Sequence, residues 1–264
     1  MTIETDAAEF GAYGFLEEVR AGLLWGIASR RIESYVAQEI IPMGYPIFGY
    51  EGDADDAHLL HIDQGKLVFD ADLITDNSIS VTVNTLNAVV VFATDHDTTM
   101  DLLVTAIEAL DSTFICTLDS TDTDNRTLLI TTKGATAAVA GVVTLGVSQA
   151  GVVVTLQLSE YLVFLGVAIK LDKEPVVNVV TGRGDNYAIG NMVSTLVDGW
   201  IWGVTDGGTI VSNTAPKVEA TGANISKFTP NASGTGKAVG GYYKGVPVSG
   251  DLAVVKVDAQ TKIS

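Results

Sequence analysis

The chain of 264 residues has one cysteine, three histidines and few positive charges, and each scarcity excludes something. A single Cys116 rules out an intrachain disulfide, so the fold rests on its core. At this length a core can bury roughly three quarters of the unfolded surface without staples. Cys116 stands in Thr113-Phe114-Ile115-Cys116-Thr117, with no histidine or basic residue beside it, and reads as a small buried apolar residue and not a reactive thiol. Fifteen Lys and Arg are scattered among 32 Asp and Glu, for a formal charge of −17. No basic patch for phosphate arises from that balance, so nucleic acid is excluded as a partner. Long uninterrupted apolar runs are also missing. The most apolar stretch, 152–169, is broken by Gln157, Ser159 and Glu160, so it fails as a membrane span. The start, Met1-Thr2-Ile3-Glu4-Thr5-Asp6, has neither a basic nor an apolar leader region, and the expectation is a product made in the cytoplasm.

Motifs for turnover fail at their key positions. Gly236-Lys237-Ala238 has the end of a phosphate loop, but Asn231 stands where its first glycine belongs and Ala238 where Ser or Thr is required. Gly182-Arg183-Gly184-Asp185 begins like a dinucleotide fingerprint and lacks the third glycine, so it reads as a turn. Gly146-Val147-Ser148-Gln149-Ala150 misses the last glycine of a nucleophile elbow. His58 and His61 lie near Asp53, Asp55 and Asp56, where a metal is conceivable. An acidic surface loop entering a strand explains them more simply. Asp119, Asp122 and Asp124 share a loop without the spacing or glycine of a calcium site. The expectation is no catalytic residue, no cofactor and no metal: a protein that is not an enzyme.

What the chain does have is apolar residues in short alternating runs, at 47% of the composition. Residues 1–24 read as an N-terminal arm. Residues 25–71 and 157–264 carry short strands broken by Gly, Asn, Asp and Pro, at the spacing of a β-barrel or sandwich. The strand candidates in the second stretch are 162–169, 176–180, 192–196, 200–204, 217–220 and 252–257, with the Gly-rich 222–241 read as loop. Residues 72–156 look like a separate unit inserted at an exposed loop. There, Ser78-Ile79-Ser80-Val81-Thr82-Val83 alternates with period two. After a second strand at 88–92, Thr98 and Asp101 spell a capping-box variant. Met100, Leu103, Val104, Ile107 and Leu110 then fall on one helical face. Strands at 113–118 and 127–132 and the stretches 141–146 and 152–156 complete a small α+β module, read as β-β-α-β-β-β. The fold class is therefore mainly β, a barrel or sandwich domain with an inserted α+β module.

Trp200 and Trp202 alternate in Asp198-Gly199-Trp200-Ile201-Trp202-Gly203-Val204 and share one face of a strand. Core packing, a subunit contact or stacking on a sugar would each use such a pair. Around them runs a wider pattern: Gly26-Ile27-Ala28, Ile41-Pro42-Met43-Gly44-Tyr45-Pro46-Ile47-Phe48, Tyr187-Ala188-Ile189-Gly190-Asn191, Thr214-Ala215-Pro216-Lys217-Val218 and Val248-Ser249-Gly250-Asp251-Leu252. This layout resembles bacteriophage structural cement (capsid decoration) proteins, and 72–156 is similar to modules that recur in phage virion proteins. The resemblance covers about two thirds of the chain.

The resemblance implies a β domain seated on the outer surface of the major capsid protein lattice, a homotrimer at capsomer junctions, and localisation in the virion. Trp200, Trp202, Tyr45 and Phe48 are the interface candidates. Another virion part (tail tube or baseplate) and a carbohydrate-binding host-attachment protein remain as alternative readings.

Overall fold

Apolar and polar residues alternate along most of the chain, and the backbone answers with strands. The computed structural model describes residues 22, 24–25, 30–144, 146, 151–169, 186–220, 225–229, 237–249 and 251–259. Most of the expected arm, the strand candidate 176–180, and the motifs at 26–28, 147–150, 182–185 and 231–236 lie outside the described residues. In chain order the elements begin with β1 (Arg31–Ala37), β2 (Ile41–Pro42), β3 (Pro46–Tyr50), β4 (Asp53–His58), β5 (Gln64–Phe69), β6 (Ser78–Val83) and β7 (Leu86–Val91). The one α-helix among the described residues, α1 (His96–Glu108), follows, then β8 (Phe114–Leu118), β9 (Thr127–Thr132), β10 (Val139–Thr144) and β11 (Val152–Gln157). The chain ends through β12 (Leu162–Ala168), β13 (Asn186–Tyr187), β14 (Met192–Val204), β15 (Lys217–Val218), β16 (Phe228–Thr229), β17 (Lys237–Ala238), β18 (Gly241–Ser249) and β19 (Leu252–Asp258). Contacts separate two compact units: Met1–His61 with Glu160–Ser264, and Ile62–Ser159.

The first unit is built on a closed ring. β1 bonds to β4, β4 to β3, β3 to β12, β12 to β14, and β14 back to β1, a five-stranded barrel. Closure removes exposed strand edges. Only the β1–β4 pairing is parallel within the ring. Ile47, Phe48, Phe164, Val167, Val193 and Leu196 are fully buried in this unit. The 13 residues of β14 outrun the barrel. Met192–Asp198 pairs with β1, and Asp198–Val204 pairs with β19, whose other neighbour is β18.

Two glycines permit this geometry. Gly166 (φ +136°) lies so close to the carbonyl oxygen of Leu196 that a Cβ would collide with it. Gly199 (φ +143°) lies two residues past Val197, the residue left over by a bulge where Leu196 faces Ile32 and Asp198 faces Arg31.

Here the structure corrects several expectations. The acidic run Asp53–His58 is a strand, not a loop, because β3 and β1 flank it and take its hydrogen bonds. The candidates 192–196 and 200–204 are one strand, since β1 and β19 between them pair it from Met192 through Val204. β18 was hidden by Gly241, Gly245 and Pro247. The stretch read as loop, 222–241, contributes β16 and β17, which flank β15 in a small sheet.

The second unit packs a β10-β6-β7 sheet and a β11-β5-β9-β8 sheet around one core. α1 lies against β7 and β8, and β10 lies against β11. Met100, Leu103 and Ile107 are buried and Val104 and Leu110 pack beside them, as the periodicity predicts. The helix starts three residues earlier than Thr98 suggested. Asp95 is the N-cap, and its carboxylate accepts the Thr98 amide at 2.7 Å. β5, which the sequence reading left within 25–71, bonds between β11 and β9 in this unit. β10 and β11 are separate strands in different sheets, so the order here is β-β-β-α-β-β-β-β.

Candidate interaction surface

The long β14 carries the tryptophan pair beyond the barrel. Residue by residue it faces β19, with Trp200 opposite Lys256 and Trp202 opposite Val254. On its other edge lie Gly22, Leu24 and Trp25: the Gly22 amide donates to the Trp202 carbonyl and the Trp25 amide to the Trp200 carbonyl, each at 2.9 Å. Trp202 is 4% exposed and packs with Val204, Leu252 and Val254. Trp25, Tyr45 and Trp200 cover that cluster and remain partly exposed.

Trp200 is held edge-to-face by two neighbours. Its ring centroid lies 5.8 Å from that of Trp25 and 5.3 Å from that of Tyr242. The Lys244 ammonium sits 3.3 Å from the Trp25 centroid and 5.8 Å from that of Trp200. The electron-rich faces attract it. Partial removal from water lowers the pKa of Lys244 below the ordinary lysine value. Burial, helped by the Asp251 charge, raises the Tyr45 phenol.

The four sequence candidates therefore separate. Trp200 and Tyr45 reach the surface of one cluster. Trp202 is its buried floor. Phe48 lies elsewhere, fully buried against Phe164 with centroids 5.7 Å apart, because its position on β3 points into the core. A fully buried ring presents nothing to a partner, so Phe48 is corrected to a core residue. Sequence reasoning missed Trp25, Tyr242 and Lys244. The alternation Tyr242 out, Tyr243 in was the available signal, with Tyr243 fully buried.

His61 Nε2 lies 2.9 Å and 3.0 Å from the two Glu39 oxygens, and Glu39 also accepts the Leu59 amide. His58 is buried edge-to-face against Tyr50 at 5.4 Å, and its Nδ1 has no hydrogen-bond partner among the described residues. Asp119 accepts the Thr121 hydroxyl, Lys66 Nζ and the Thr121 amide, which hold its pKa down at about 2. Asp122 accepts the Asp124 and Arg126 amides and the Thr127 hydroxyl. Among the described residues no group of three or more His, Cys, Asp or Glu is placed to hold a metal ion. Burial and the nearby Glu108 push the Cys116 thiol up to about 12. No helix of the described residues is long and apolar enough to cross a membrane.

No family model matches the chain, and no curated protein is significantly similar to it. Among solved structures, a chain from the capsid of Myoviridae phage XM1 is similar at 10% identity and a TM-score of 0.44, over 93% of this chain and 96% of that one.

Proposed function

We propose that the chain is a bacteriophage structural protein without catalytic activity, a cement protein on the outer surface of the major capsid protein lattice. One observation carries this reading. The described segments that resemble cement proteins are far apart in sequence, yet they belong to one compact unit. Residues 41–48 form β2 and β3, 187–204 include β13 and β14, 217–218 form β15, and 248–257 span the β18–β19 hairpin. β2 pairs with β13, and β14 with β19.

Function here is binding, not turnover. A homotrimer at capsomer junctions bridges several capsid subunits, and many modest contacts make the lattice hard to rupture. The acidic surplus suits a face turned to solvent and away from packaged nucleic acid. The sugar-binding reading is weakened by the aromatic geometry: Trp202 is buried, and Trp25, Tyr242 and Lys244 already occupy the Trp200 ring. No observation favours a tail tube, which would assemble as hexameric rings.

The test is light scattering followed by co-sedimentation with heads purified from the source phage. A trimer that pellets with heads is expected. A hexamer, or protein that stays in the supernatant, overturns the proposal.

A further inference from the structure

The outer face of the β10-β6-β7 sheet has an unusual chemistry for so acidic a chain. Pairing aligns three columns: Val89 and Val91 on β7, Ser78, Ser80 and Thr82 on β6, and Val142 with Ala140 and Thr144 on β10. Val89, Val91 and Val142 are 60%, 68% and 54% exposed. With Asn87, these positions include no charged side chain. The face is thus a serine–threonine trough between two apolar ridges.

The trough is already prepared for loss of water. Ser78 and Thr144 share a hydrogen bond at 2.6 Å, and Ser80 and Thr82 both donate to Asn87 Oδ1, at 2.8 and 3.2 Å. Covering the face leaves these hydroxyls paired, so it avoids the main cost of burying polar groups. Around the sheet, α1 lies against β7 and β11 against β10.

We propose that this face is a contact between two copies of the chain, packed sheet on sheet about a two-fold axis. Charge selects the occupant. At −17, copies repel wherever their acidic surfaces meet, and an uncharged face lets them approach. A basic partner would gain nothing there. Shape agrees, since a ridge of one copy fits the trough of its mate under an isologous arrangement. Three strands of six residues cover on the order of 300 Å², less than the ~800 Å² per partner of a free-standing interface. The contact is weak alone and strong where copies are already held side by side. It does not require the capsid reading; if trimers form, it joins neighbouring trimers.

Ser80→Cys places an accessible thiol at the centre of the face, while Cys116 stays buried. With a short bis-maleimide in concentrated solution, S80C is expected to form covalent dimers at least tenfold faster than Asp101→Cys, on the exposed side of α1. Adding Val89→Lys and Val142→Lys, both on the solvent side of their strands, is expected to reduce S80C to the D101C rate with an unchanged circular dichroism spectrum. Equal rates for S80C and D101C, or no effect of the lysines, overturn the proposal. So does protection of S80C from alkylation on heads without dimer formation, which assigns the face to a lattice subunit and leaves the cement reading intact.

Discussion

Trp200 and Trp202 are two residues apart on one strand, and their burial gives them different work. Trp202 is the floor of an apolar cluster, so Trp202→Ala is expected to cost about 3–5 kcal/mol in urea unfolding. Trp200 is partly exposed and held by rings at its edge, and Trp200→Ala should cost about 2 kcal/mol or less. Equal losses would mean that the cluster does not have this layering. His58 makes a second residue-scale prediction. Burial lowers its pKa below the ordinary 6.5, against the opposing pull of Glu39, Asp56 and Asp53, with His61 adding to the lowering. The unfolded chain takes up a proton at 6.5 and the folded chain only at lower pH, so stability present above 6.5 is lost as pH falls through that window. Urea melts at pH 7.5 and 5.5 should show this loss, and His58→Phe should reduce it. The same slope in both proteins would remove His58 as its source.

At the scale of elements, two glycines separate strain from collision. Gly52 (φ +86°) has open space where a Cβ would go, and Gly52→Ala should cost only about 1 kcal/mol of backbone strain. Gly166→Ala adds a clash with the Leu196 carbonyl at the β12–β14 crossing, and more than about 3 kcal/mol is expected. Thermal melts of the two variants compare them directly, and similar losses would mean that β12 can shift away from β14. The same contrast explains what the sequence disclosed. α1 was legible because Met100, Leu103 and Ile107 repeat at helical spacing, and β6 because its alternation is strict. β4 was not, because Asp53, Asp55 and Asp56 look like solvent-facing loop when pairing with β1 and β3 is unknown. Gly199 looks like a strand end for the same reason. In the aromatic cluster the spacing of Trp200 and Trp202 was legible. Trp25 and Lys244 were not, because only the long-range register of β14 and β18 brings them together.

At the scale of the whole molecule, the inserted unit begins and ends at one place. Gln64 on β5 is the ladder partner of Gln157 on β11, and the Ser159 amide donates to the Asp63 carboxylate at 2.8 Å. Residues 62–159 have their own core, so this segment is expected to fold alone and to unfold cooperatively, with sharp amide proton dispersion. A chain in which a short glycine-serine link replaces 62–159 is expected to keep the barrel and still pellet with heads. Retained β-sheet signal with lost pelleting would move the proposed lattice contact to the inserted unit.

β14 has a mechanical consequence as well. One continuous strand serves the barrel through β1 and the outer hairpin through β19. A pull on that hairpin along the strand reaches the barrel as shear, with the rungs from Ile32–Leu196 to Val36–Met192 loaded together and not peeled one after another. Rungs that share a load fail at higher force than rungs that open in turn, so the direction of pull decides how much tension this protein withstands.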